Sequence, residues 1–468
     1  MRQNVIRNSR GLAIPSASRT TTLPGAHGGR DGVVKRYAFA SWLVLIGILI
    51  PAAEVQVYLG GAKFTAARLA LVALIIPAVL ALVKRGRHMV ACDVVVILMV
   101  MWMVIAASVA PDSDSFSSAG AVSLEIMFSY FIGRAFFIGS TALDGFVRAL
   151  KMVTIVIVTI ALFEVITGRW LAHETAAALT GTQPLGAVFR RGVLRATSTL
   201  DHPILLGVFC ALTNVIFLFW ERRADRRFLS SFICLVGCLL SQSSAALMVY
   251  ALGTCAYGYE NVMRRVAMRW GFFWGGIGCV VAAVVLFTQN PIGWLISHLT
   301  LDPDTGYFRI LIWNIAFTRI DQSPLFGHSF QMFGDVILDA TIDCVWLIDT
   351  LRFGYPASAL LLLANLTAIW PTSRKTPTAP SNTVGRMKIA FSVVLLLFMF
   401  SGLTVHFWNY LWIFWGLCIG IAASLREAAV HRGAGERTGA PGGRPHVVKT
   451  PSGLRHPSLS RRGPYGRS

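Results

Sequence analysis

Apolar runs of roughly 20 residues recur along the chain, separated by short stretches where Arg, Asp, Ser and Pro collect. A run of that length crosses a hydrocarbon core of roughly 30 Å as one helix. The pattern predicts twelve hydrophobic helices, near 38–57, 64–83, 91–110, 120–138, 147–167, 202–220, 228–241, 243–259, 270–288, 345–370, 387–403 and 405–424. The seventh and eighth form one apolar run, Phe228 to Tyr259, which exceeds a single crossing. Its central "SQSS" predicts a tight turn. The last two are divided only by "GLTVH".

Composition agrees with the pattern. Of 468 residues, 55% are hydrophobic and 14% charged, with mean hydropathy +0.63. A soluble domain carries about a quarter charged residues. The expected fold class is an all-α polytopic membrane protein whose core is the bundle itself. The net charge of +20 concentrates at the ends. Residues 1–36 hold seven Lys/Arg against Asp31, and residues 426–468 hold nine against Glu427 and Glu436. Both ends are rich in Gly, Pro, Ser and Arg. They read as disordered basic cytoplasmic tails flanking a transmembrane domain over 37–425. Without an aromatic-basic fold beside it, this charge does not indicate nucleic acid. The eight cysteines lie in or beside apolar runs, with no zinc spacing and no disulfide framework.

Charge also orients the chain. With both tails inside, the even-numbered connections are cytoplasmic. They include "KRGRH", "ERRADRR" and "ENVMRRVAMR", as the positive-inside rule requires. Two long outward loops break the rule. The first, near 168–201, carries Arg169, Arg190, Arg191 and Arg195. The second, near 289–344, carries Arg309 and Arg319 among six aspartates. Short basic clusters survive on long translocated loops, which is one reading of Arg190 and Arg191; a functional role is the other. Arg195 stands just before Asp201-His202-Pro203 and the next helix. There its fixed fork of donors suits phosphate oxygens at the membrane surface.

The second loop predicts an amphipathic interfacial helix over Tyr307 to Ile320, ended by "SPLFG". On it Tyr307 and Trp313 serve as interfacial anchors, and Arg309 either snorkels or binds an anion. Asp343 precedes the tenth span, as an N-cap or as a base. Asp349 lies within that span, where a carboxylate needs a polar partner; Arg352 at i+3 is placed to supply one.

An Arg before an "HP…G" helix, the broken "SQSS" run, then a large loop bearing "RILIW…SPLFG" and a polar residue at the next span form an ordered set. This order resembles the O-antigen ligase/polymerase superfamily, nearest the VpsF-like, Wzy-type exopolysaccharide polymerases, over roughly 38–423. The resemblance implies a GT-C-like, O-antigen ligase-like bundle in the bacterial inner membrane. It implies a polymerase of polyprenyl-diphosphate-linked oligosaccharide repeat units at the outer face. Arg195 and Arg309 match the family's outward arginines, with Arg190, Arg191, Trp313 and Trp346 as further substrate-binding candidates. Ligase members carry His-Asn where this chain has Asp343-Cys344, which favours the polymerase branch. Asp343, His328 and His202 are the candidate bases. No cofactor or metal is implied. The implied partners are the lipid-linked glycan, the bilayer, a chain-length regulator and export machinery. The alternatives are a ligase-type glycan transferase, a lipid-linked glycan transporter, and a scaffold of an export complex. A transporter would more often show internal repeats and deep charges.

Overall fold

The computed structural model describes residues 39–59, 62–84, 87–109, 113–266, 268–288, 303–331, 342–370 and 383–438. The N-terminal tail, the C-terminal tail beyond 438 and the connection 371–382 lie outside these residues. So do 110–112 and most of the second long loop at 289–302 and 332–341.

The described chain is mostly helical. A short apolar helix α1 (Phe39–Leu49) leads into a hairpin of β1 (Gln56–Leu59) and β2 (Ala62–Thr65). Then come α2 (Ala66–Lys84), α3 (Ala91–Val109), α4 (Ser113–Phe136), α5 (Gly139–Thr167) and α6 (Leu171–Thr180). A second hairpin joins β3 (Phe189–Arg190) to β4 (Val193–Leu194), followed by α7 (Pro203–Trp220), α8 (Ala224–Leu240), α9 (Ser244–Val262) and α10 (Arg269–Phe287). The chain closes with α11 (Pro303–Ile320), α12 (Val345–Ile369), α13 (Thr383–Ser401) and α14 (Tyr410–Thr438). Among the described residues, eight helices are long and apolar enough to cross a membrane: α2, α3, α4, α5, α7, α10, α12 and α13. The molecule is an all-α polytopic membrane protein.

The centre of the bundle is α7. Its sequence is apolar on every face, and every residue but Ile204 and Trp220 is buried. The closest seam joins α4 to α14 through small residues. A Cβ added to Gly420 would meet the Tyr130 carbonyl at 2.1 Å, and one on Gly416 the Ser129 hydroxyl at 2.2 Å. A Cβ on Gly133 would meet the Leu417 carbonyl at 2.5 Å. Ser129/Gly133 and Gly416/Gly420 thus repeat the small-xxx-small spacing that lets membrane helices approach backbone to backbone.

Several boundaries differ from expectation. The final helix continues to Thr438, past the expected tail boundary at 426. Its extension is anchored at Glu427, which pairs with Arg87 and with the buried Arg134 at 2.5 Å. Arg134 also grips Asp93 with two bonds of 2.8 and 2.9 Å. This network fastens α3, α4 and α14 at the end of the bundle opposite the hairpins. The division between α13 and α14 falls at "GLTVH" (402–406), as expected, and extends to 409. The expected turn at "SQSS" is present: Ser241 ends α8 and Ser243 caps α9, accepting from the Ala246 N–H at 3.4 Å. Finally, α12 breaks at Gly354 (φ 77°), where the "SPLFG" segment packs so close that a Cβ would sit 1.9 Å from the Leu325 carbonyl. Tyr355 N–H donates to the Pro324 carbonyl at 2.9 Å. Only glycine fits that contact at that φ.

Candidate functional site

The segment Arg195–Asp201 runs from the second hairpin to α7 and is held from every side. Glu164, near the end of α5, accepts from the Thr197 and Ser198 N–H groups at 3.1 and 2.8 Å. Trp170 donates to the Arg195 carbonyl at 2.8 Å, and the Thr199 hydroxyl to the Ile48 carbonyl at 2.6 Å. His173 on α6, fully buried, reaches the Leu200 carbonyl at 3.0 Å and Glu54 at 2.8 Å. Asn409 closes the ring by donating to Asp201. This many anchors on seven residues leaves the loop little freedom, so Arg195 is preorganised.

Arg195 itself is buried. Its Nε donates to the Ser241 carbonyl at 3.1 Å, in the turn between α8 and α9. The two terminal amino groups have no hydrogen-bond partner among the described residues. The "HP…G" pattern explains how the turn comes so near. A Cβ on Gly207 would meet the Ser241 hydroxyl at 2.4 Å and Ala246 at 2.5 Å, so only glycine lets α7 approach. Arg190 donates to the Gln242 carbonyl at 3.0 Å and stays exposed. Arg191 (φ 53°) and Gly192 (φ 76°) make the two-residue hairpin turn, which needs positive φ at both positions. These two arginines therefore frame the loop from its surface.

Arg309 reaches the same region from another element. On α11, Ile312, Ala316 and Ile320 form the buried stripe, packed against Cys344, Leu347 and Leu351 at the start of α12. Trp313 packs at the edge of that cluster. Arg309 sits one turn before Ile312, half-buried, and its charge acts on Asp343. The charge of Arg195 acts on Asp343 as well. Three residues spread over 149 positions of sequence thus share one electrostatic neighbourhood. Burial lowers the pKa of both guanidiniums from the ordinary value; the charge of Arg190 lowers that of Arg195 further, and Asp343 opposes the shift in both.

Asp343 keeps an exposed face, yet the protein around it pushes its carboxyl above the usual range, against the pull of Arg309 and Arg195. It does not cap α12. Cys344 occupies the N-cap position, no side chain caps the helix, and the Asp343 carboxylate has no hydrogen-bond partner among the described residues. Burial pushes the neighbouring Cys344 thiol up to about 11, so it stays protonated.

The two histidines are differently engaged. His202 is the N-cap of α7: its Nδ1 accepts from the Ile204 N–H at 3.2 Å. Burial, then the charge of Arg195, pushes its pKa down to about 4. It is therefore a neutral imidazole whose proton sits on Nε2, a donor rather than a base. His328 lies farther along. Its N–H donates to the Leu351 carbonyl at 2.7 Å and its Nε2 to the Arg319 carbonyl at 2.9 Å, tying the α11 turn to α12. Leu351 is eight residues beyond Asp343, on the order of 12 Å along a helix, so His328 is not brought to the arginines. Trp346 is turned into the bundle, donating to the Met399 carbonyl at 3.0 Å. Tyr307's side chain lies outside the described residues.

Several residues at this end were not foreseen. Arg68 pairs with Glu125 at 2.7 Å, and His406, Trp408 and Asn409 come from the connection between α13 and α14. Asp349 and Arg352 do not form the expected ion pair. Asp349 accepts from the Ser358 hydroxyl at 3.2 Å, and Arg352 stacks on the Phe330 ring at 4.2 Å. Nothing in the sequence marks these meetings: Arg68 and Glu125 are 57 residues apart, and Ser358 lies nine residues beyond Asp349. No family model matches the chain, and no curated protein matches it.

Proposed function

We propose that this protein is a polysaccharide polymerase of the exopolysaccharide or O-antigen type. It joins polyprenyl-diphosphate-linked oligosaccharide repeat units at the outer face of the bacterial inner membrane. In this reading α1, α8, α9 and α14 complete twelve crossings, both termini are cytoplasmic, and the end bearing Arg195 faces outward. The observation that carries the reading is the convergence of Arg195 and Arg309 on Asp343, from three separate elements.

The chemistry follows from that arrangement. The glycan donor leaves as a lipid diphosphate, a good leaving group once its charge is neutralised. Arg195 offers two unengaged amino groups and Arg309 a second cation, in a partly dehydrated site where such charges act strongly. The acceptor hydroxyl attacks the anomeric carbon while the bond from that carbon to the diphosphate breaks. Asp343 takes the hydroxyl proton, being close to the cations and free of other bonds. His202 Nε2–H is available to donate to a phosphate oxygen. Among the described residues no cluster of His, Cys, Asp and Glu is built to hold a metal.

The test is complementation of a deletion strain. Arg195→Ala and Arg309→Ala should each insert normally, make no polymer, and accumulate single repeat units on the lipid carrier. Wild-type polymer from both variants overturns the clamp.

A further inference from the structure

Trp408 stands between two spaces. Its ring meets both His202, centroids 5.9 Å apart, and His406 at 5.1 Å. Beyond it lies a cavity of about 210 Å³, walled by α2, α4, α12 and the connection between α13 and α14. Its contents are unexpected inside an apolar bundle. The Arg352 guanidinium lies over Phe330, and none of its N–H groups has a hydrogen-bond partner among the described residues. His406 likewise makes no hydrogen bond to a described residue, and burial with the charge of Arg352 keeps it neutral, well below its usual range. Asp349 is 5% exposed and accepts one bond, from Ser358. Trp412, its N–H held by the Val122 carbonyl at 3.2 Å, and Trp408 present flat apolar faces.

Polar groups inside a membrane bundle are costly unless something satisfies them. An apolar ligand would strand Arg352 and His406. A simple anion would meet Glu125 and Asp349, and a simple cation Arg68 and Arg352. A hydroxyl-rich ring suits the mixture: each hydroxyl both donates and accepts, and the C–H faces pack on indole. At ~30 Å³ per water the space holds on the order of seven waters, which fits one sugar ring and not an oligosaccharide.

We propose that this cavity binds the terminal sugar ring of the acceptor, with Asp349, Arg352 and His406 holding its hydroxyls and Trp408 as the wall shared with the reacting site. This assignment rests on the polymerase reading and adds to it the place of the acceptor.

The experiment uses the full-length protein in lipid nanodiscs and two radiolabelled probes. One is the repeat-unit oligosaccharide released from its lipid by mild acid; the other is polyprenyl diphosphate carrying no sugar. Asp349→Asn, Arg352→Gln and His406→Gln should each weaken oligosaccharide binding by about tenfold or more, with polyprenyl diphosphate binding unchanged. His406→Gln removes no hydrogen bond to a described residue and only one ring contact, with Trp408, so it remains informative if the other two fold poorly. Arg195→Ala should show the reverse pattern. Unchanged oligosaccharide binding in the folded variants overturns the proposal. So does a wild-type protein that binds polyprenyl diphosphate and not the oligosaccharide. A wild-type protein that binds neither probe removes the polymerase reading, and this assignment with it.

Discussion

Arg195 donates its Nε to the carbonyl of Ser241, 3.1 Å away, so the arginine of the long loop is aimed by the turn between α8 and α9. A lysine at 195 carries the charge but has neither the Nε anchor nor the fork. Arg195→Lys should therefore insert normally and lose most polymer, measured by gel analysis of the glycan. Near-normal polymer would show that charge alone suffices.

Gly207 is the other half of that arrangement. Gly207→Val forces α7 away from Ser241, an overpacking that costs about 1–3 kcal/mol. Polymer yield should fall with no change to any charged residue, and the melting temperature of the purified protein should drop. A variant of wild-type stability and activity would show that the close approach is dispensable.

Asp343 separates a structural role from that of a base through the sign of a stability change. Its folded pKa is raised, so the fold favours the protonated form. That contribution is fully present below the ordinary aspartate value and is lost as pH rises through the raised one. At neutral pH Asp343→Asn should leave melting unchanged or raise it, while turnover by purified protein on lipid-linked repeat units disappears. Loss of stability with turnover retained would mark a structural residue.

His202 behaves oppositely. Its folded pKa is depressed to about 4, so its contribution is present above the ordinary histidine value near 6.5 and is lost as pH falls toward 4. His202→Asn keeps a capping side chain without the titration, and should flatten the decline in melting temperature between pH 6.5 and 4. His202→Ala should cost about 1 kcal/mol above pH 6.5 through the lost cap, and less as pH falls toward 4, where the protonated imidazole of the wild type no longer accepts. An unchanged pH profile in His202→Asn would assign the titration elsewhere.

Gly420 tests the seam. Gly420→Leu would drive a side chain into the Tyr130 carbonyl, so α4 and α14 could not close. Little folded protein should survive detergent extraction, read by size-exclusion chromatography. Wild-type yield would show that α4 and α14 need not approach this closely.

Much of this was legible along the chain. Hydropathy gave the helices because each long apolar run has to bury its own backbone in lipid. "SQSS" gave the turn because Ser243 caps a helix from its own side chain. The candidate arginines stood out because they sit where basic residues are disfavoured. What was not legible is pairwise. Asp349 and Arg352 have pairing spacing, yet the break at Gly354 and the ring of Phe330 draw them to other partners. His328 and Trp346 looked free until their N–H groups were found committed to carbonyls on neighbouring elements. The Gly416/Gly420 spacing stands in the sequence, but glycines in an apolar run resemble ordinary membrane composition. Its partner face on α4 is marked only by Ser129 and Gly133.

The turn between α8 and α9 is three residues, Ser241 to Ser243, and contributes no side chain to the proposed chemistry. Because its carbonyls at 241 and 242 hold Arg195 and Arg190, its length is constrained as tightly as a catalytic residue is. An insertion there would shift the guanidinium without altering any reactive group. A change in the turn's length would therefore act on the site as directly as the loss of Arg195.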